Sequence, residues 1–175
     1  AVGSNSQAAA STGEFNTSVG SLSQGVGVLT GDGNTSVGYQ AGQAITSGSG
    51  NIAIGRGCGD AVTSGSDNIS IGTSALGTED EHGRNVAIGS SALNAGADAY
   101  NVAVGYNAGA AVTTAIRSTL IGASAGAAIT TGGENTFIGY TTGQATTIGN
   151  KNVAVGGESL TTNVAGDCNV AIGIE

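Results

Sequence analysis

Two apolar, mostly β-branched residues flank a small one, opened by Asn and closed by Gly, and this five-residue phrase returns down the whole chain. Clear copies are Asn51-Ile52-Ala53-Ile54-Gly55, Asn85-Val86-Ala87-Ile88-Gly89 and Asn101-Val102-Ala103-Val104-Gly105. The copies start at 16, 34, 51, 68, 85, 101, 118, 135, 152 and 169, a period of seventeen with one step of eighteen and one of sixteen. Positions are counted below from the opening residue as 0. Alternation with period two over strong strand formers predicts one short β-strand per copy. The Gly at +4 occurs in every copy, which suits a backbone with positive φ or one approached too closely for a Cβ.

The residues between phrases carry a looser pattern. Position +7 is small in most copies: Ala41, Cys58, Ala75, Ala92, Ala108, Ala125, Thr142 and Ser159. Position +8 is Gly or Leu. Where it is Gly, as at 42, 59, 109 and 126, an aliphatic residue follows at +11: Ile45, Val62, Val112 and Ile129. Where it is Leu, as at 76, 93 and 160, that later place is not aliphatic. The exchange implies that each coil supplies one aliphatic side chain to the same closed interior.

A short unit of strand plus tight turn, repeated without helical periodicity, predicts an all-β fold: a parallel β-solenoid of about ten 17-residue coils, with residues 1–175 forming a single repeat domain. At roughly 4.8 Å per coil the rod is on the order of 50 Å long. The Asn side chains are expected to stack into a hydrogen-bonded ladder, broken at Ser118, with Leu120 and Phe137 forming the bulky patch at +2. Both strand faces are expected to be covered, one filling the coil interior and the other meeting partner chains, with the branched +1 and +3 residues read as core. Three rods around a common axis, a homotrimer, would supply the large core that the composition lacks.

Composition narrows the classes further. The chain has 33 Gly, no Pro, Trp or Met, and 3% aromatic residues, which disfavours a globular core of large side chains. The net charge is −8 and the four cations, Arg56, Arg84, Arg117 and Lys151, are scattered, so no nucleic-acid-binding stripe exists. No run of eighteen apolar residues is present, so this segment does not insert into a membrane as a helix. Cys58 and Cys168 lie 110 residues apart, about 31 Å along a stacked array, too far for a disulfide within one rod.

The phrase Asn85 to Gly89 followed by Ser90-Ser91-Ala92 resembles the head repeats of trimeric autotransporter adhesins of the Yersinia-adhesin type. Asn101-Val102-Ala103-Val104-Gly105-Tyr106-Asn107-Ala108-Gly109 is similar to repeats of bacteriophage tail fibres. The resemblance covers essentially the whole chain. It implies a left-handed, trimeric β-roll displayed outside the cell or on a virion surface, with a coil a few residues longer than is usual for adhesin heads.

Candidate sites are few. The acidic segment Glu79-Asp80-Glu81-His82 holds the only His and could form a cation or receptor contact, although a solvated loop is the simpler reading. Tyr39, Tyr106 and Tyr140 all follow the closing Gly and could touch a carbohydrate or protein partner; packing at a corner is the reading favoured. The residue before each Asn varies most in size and charge, as expected of a solvent-facing corner. Paired hydroxyl residues such as Thr46-Ser47 and Thr130-Thr131 raise an ice-binding array, but Asp80-Glu81 and Ala97-Asp98 interrupt it. No nucleophile–base order, metal-ligand spacing or cofactor motif is present, and a filled solenoid offers no cleft, so the expectation is no catalytic residue, metal or cofactor. The expected role is a rigid structural or adhesive module of an extracellular fibre that meets a host-surface receptor, glycan or matrix protein. A phage tail-fibre segment and a self-assembling extracellular filament are the alternatives.

Overall fold

The computed structural model describes residues 1–7, 12–25, 27–78 and 81–174. Ten three-residue strands stack into one parallel sheet in sequence order: β1 (Thr17–Val19), β2 (Thr35–Val37), β3 (Ile52–Ile54), β4 (Ile69–Ile71), β5 (Val86–Ile88), β6 (Val102–Val104), β7 (Thr119–Ile121), β8 (Thr136–Ile138), β9 (Val153–Val155) and β10 (Val170–Ile172). The chain is a β-solenoid of about nine turns. Register is exact throughout, so Ala53 lies on Ser70 and Ala87 on Ala103. Val2 adds a single parallel bridge to Val19. The step of sixteen between Asn85 and Asn101 leaves the β5–β6 register intact, because the missing residue is taken out of the return segment.

The strand faces are the reverse of the expected core assignment. Position +2 points inward: Ala53, Ala87, Ala103, Leu120, Phe137 and Ala154 are all buried. The branched +1 and +3 residues point outward and are half-buried or exposed, with Ile54 39% and Ile121 38% accessible. The reason is room. A seventeen-residue coil encloses little space, and position +2 is Ala or Ser in the coils filled from +8 or +11, except that Leu120 shares its coil with Ile129.

That exchange is visible atom by atom. Leu76 and Leu93 fill the interior from +8, and Ile45, Val62, Val112 and Ile129 fill it from +11. A Cβ at Gly109 would sit 3.0 Å from Leu93 Cδ2 and 3.2 Å from Val112 Cγ2, and one at Gly126 would sit 2.7 Å from Ile129 Cδ1. The two sources of apolar volume therefore exclude each other. The backbone at +8 is left-handed in both cases, with φ of 50° at Leu76 and 59° at Gly109, so Leu is placed there against its conformational preference. Phe137 is the largest interior group, and Thr146 takes the +11 place of its coil. The Thr146 Oγ1 is buried without a hydrogen-bond partner among the described residues.

The Asn ladder forms as expected and does more than stack amides. Each Oδ1 accepts the backbone N–H of the residue one coil on, as in Asn68 N to Asn51 Oδ1 at 3.0 Å and Asn152 N to Asn135 Oδ1 at 2.9 Å. Each Nδ2 donates to a carbonyl three residues before the next Asn, as in Asn51 to Gly65 O and Asn135 to Gly149 O, both at 2.8 Å. Each side chain thus satisfies one buried donor and one buried acceptor that the short strand cannot reach. At the two irregular coils the following Asn repairs the gap. Ser118 is too short to reach Gly132 O, and Asn135 Nδ2 bends back to it at 3.1 Å. In the sixteen-residue coil Asn85 reaches Ala97 O at 3.4 Å, and Asn101 Nδ2 bonds Asp98 O at 2.8 Å.

The Gly column at +4 fits its expected role. Gly105 has φ 137°, and a Cβ there would lie 2.5 Å from Gly122 O. A Cβ cannot sit so close to the carbonyl of the next coil, and with the positive φ this leaves only Gly to fit the turn. Cys58 lies inside the +7 column and Cys168 on the surface, both as free thiols. Burial pushes the Cys58 thiol up to about 11, so it acts as a small apolar filler.

Candidate functional site

Four columns of residues line the surface of the described rod. The first is the outward stripe of +1 and +3. Val37, Ile54, Ile71, Ile88, Val104 and Ile121 form an unbroken aliphatic row at +3, half-buried or exposed along the sheet. At +1 the row is mixed, with Thr35, Thr119 and Thr136 among Ile and Val. The stripe is about 7 Å wide from +1 to +3, aliphatic along +3 and interrupted by Thr along +1, with no charged residue at either position.

The second column is +5. Tyr39, Tyr106 and Tyr140 are 49%, 61% and 61% accessible. They are not packed into a corner, contrary to the favoured reading of the sequence. The turn that follows the Gly column throws these side chains outward, and only their backbone is tied down: Ser124 N donates to Tyr106 O and Glu158 N to Tyr140 O, each at 2.8 Å.

The third column is the corner before each Asn, where Asp67, Arg84, Tyr100, Arg117, Glu134 and Lys151 are all exposed, as their variety predicts. They largely engage one another along the axis. Arg84 lies 4.0 Å from Asp67, donates to Tyr100 Oη at 3.2 Å, and stands 5.5 Å from that ring's centre. Arg117 pairs with Glu134 at 3.9 Å. Exposed pairs of this kind contribute less than about 1 kcal/mol each, and their backbone is left-handed, as at Lys151 with φ 57°.

The fourth is the threonine column. Thr46 Oγ1 donates to Thr63 O at 3.1 Å, Thr113 to Thr130 O at 3.1 Å, and Thr130 to Thr147 O at 3.2 Å. The hydroxyl protons are committed to the next coil, so the column is an inter-coil clamp, which removes the main attraction of the ice-binding reading.

Of the acidic segment, Glu79 and Asp80 lie outside the described residues. Glu81 and His82 are exposed and border a depression of about 370 Å³ together with Asp98 and Thr113. His82 Nδ1 is 3.3 Å from Asp98 Oδ1. The depression lies where the sixteen-residue coil draws in beside its longer neighbours. Among the described residues no group of three His, Cys, Asp or Glu converges to hold a metal ion, and no helix is long and apolar enough to cross a membrane.

Asp60, at the start of the return segment, carries an Oδ1 that is buried without a partner among the described residues. Burial raises its carboxyl above the usual range. Nothing in the sequence marks it, since the matching positions elsewhere hold Gln43, Gly77 and Asn94.

Known proteins give no family for this chain. No protein-family model matches it, and no curated protein or solved structure does.

Proposed function

We propose that the chain is a rigid structural and adhesive module of an extracellular fibre, on a cell surface or a virion surface, assembled as a homotrimer. The observation that carries this reading is the aliphatic row at +3. An unbroken, uncharged row of half-exposed Val and Ile along a whole sheet face is a surface that water disfavours and that a partner covers. A ridge this narrow suits three identical rods converging on one axis, each burying its own +3 row against the other two. The resemblance of the repeated phrase to trimeric autotransporter heads and to phage tail-fibre repeats points the same way.

The mechanism in this reading is mechanical. Backbone ladders, Asn ladders and threonine clamps join each coil to the next, so a pull along the axis loads many inter-coil hydrogen bonds. The columns away from the ridge present repeated copies of the same surface to a host receptor, glycan or matrix protein, and weak contacts sum by avidity. No catalytic step is assigned to it. Sedimentation velocity at micromolar concentration tests the assembly: a single species at three times the chain mass is the expected result, and a monodisperse monomer overturns it. Polydisperse growth with concentration would favour the filament reading instead.

A further inference from the structure

The tyrosine column carries an inference about what such a module attaches to, and it rests on the attachment reading above. Position +5 is an eight-place column from Tyr39 to Gly157. Each place is locked to the next by a backbone bond, as in Gly57 N to Tyr39 O at 2.9 Å, Asn107 N to Ser90 O at 3.0 Å and Thr141 N to Ala123 O at 2.9 Å. The column is therefore straight and its step is the strand spacing. Tyr39, Tyr106 and Tyr140 occupy the first, fifth and seventh places, so every separation is an even number of steps: two, about 9.6 Å, four, about 19 Å, and six, about 29 Å. Ala123 stands between Tyr106 and Tyr140, and Ser90 and Gly157 flank them, leaving both rings proud of a low floor.

We propose that this column binds an extended, uncharged β-1,4-linked polysaccharide lying along the rod axis. In such a chain alternate sugars present the same face, and the disaccharide repeat is close to two coil steps. A hexopyranose with equatorial substituents offers a flat C–H face that stacks on an exposed ring, while the phenol hydroxyl at the ring edge is free to hydrogen-bond a sugar hydroxyl. No hydrogen bond to the hydroxyls of these three tyrosines occurs among the described residues, and each ring is about half exposed or more. The charge selects for a neutral polymer: the chain carries −8, and the column contains one cation, Arg56, so an anionic glycan is repelled.

The test uses the full chain with cellohexaose and chitohexaose by isothermal titration, and with insoluble cellulose and chitin by depletion. Wild type is expected to bind at least one of the two polymers, and Tyr106→Ala/Tyr140→Ala to bind it at least tenfold more weakly. A register variant, Tyr39→Ala/Tyr140→Ala/Ala123→Tyr, leaves two tyrosines in the column one step apart; it is expected to bind as weakly as the double alanine variant. No binding to either polymer overturns the proposal, as does full binding by the double alanine variant or by the register variant. Circular dichroism and sedimentation of all variants are expected to match wild type. Sedimentation reads the assembly separately, so a monomer that binds the glycan would sink the trimer alone, and a trimer that does not bind would sink this inference alone.

Discussion

Replacing Asn135 with Ala tests the ladder at the point where it carries most. This side chain is fully buried. Its Oδ1 accepts Asn152 N at 2.9 Å and Asn152 Nδ2 at 3.1 Å, and its Nδ2 donates to Gly132 O and Gly149 O. Alanine leaves one backbone N–H and two backbone carbonyls unpaired in the interior of the rod. An orphaned buried polar group costs about 1–3 kcal/mol, so three give a loss on the order of 3–9 kcal/mol, the lower end applying if water enters the space left behind. Because coils couple mainly to their neighbours, the loss is local before it is global, and a single unfolding midpoint would underreport it. The suitable assay is hydrogen exchange resolved by residue. The Asn152 amide is expected to exchange at least a hundredfold faster in the variant, while amides of β2 and β3 keep their protection. Unchanged protection at Asn152 would mean that the strand ladder alone satisfies this region and that the Asn column is ornament.

Three further outcomes follow from the same contacts. Ser118→Asn completes the ladder and frees Asn135 from its double duty; a gain of about 1 kcal/mol is expected, read as a higher denaturant midpoint with faster unfolding as the opposite result. Lys151→Gly removes a left-handed non-glycine residue at an exposed corner (φ 57°) and is expected to stabilise by a few tenths to about 1 kcal/mol, measured by thermal melting against Arg117→Gly, which also loses the Glu134 pair. Asp60 has a folded-state carboxyl raised by burial, so its ionisation works against folding. Its contribution is fully favourable below the ordinary Asp range and is lost as pH rises through the raised folded value. Asp60→Asn is accordingly expected to raise the melting temperature at pH 7 and leave it nearly unchanged at pH 3; an equal shift at both would point to packing in place of charge.

Much of the architecture is legible in the sequence because a solenoid repeats its reasons. The period, the strand at each phrase, the glycine corner and the exchange of Leu76 or Leu93 against Ile45 or Ile129 are all written in the residues themselves. The orientation of the strands is not, because three alternating residues are equally consistent with either face. The usual weighting, large and branched inside, gives the wrong side here. The deciding quantity is the small volume of a seventeen-residue coil; Leu120 and Phe137 at +2 are the visible clue that this position faces the interior. The exposure of the tyrosines is hidden for a related reason. Their place after the glycine is plain, but whether a turn throws a ring outward depends on its backbone path. The threonine clamp likewise depends on where hydroxyls point one coil away, a geometry that no spacing rule encodes, and Asp60 becomes notable only once its burial is known.

The orientation of the strand face, on which the proposed trimer depends, is tested most directly by placing the same charge on adjacent residues of one strand. Ala103 is wholly buried and Val104 half-buried on the outward ridge. Ala103→Asp puts an unpaired carboxylate into the coil interior and is expected to abolish the cooperative melt or lower it by well over 10 °C. Val104→Asp is expected to retain the β-sheet circular dichroism of wild type and to sediment as a monomer. If Ala103→Asp melts like wild type while Val104→Asp unfolds, the branched residues are the interior after all, and both the ridge and the trimer built on it are wrong.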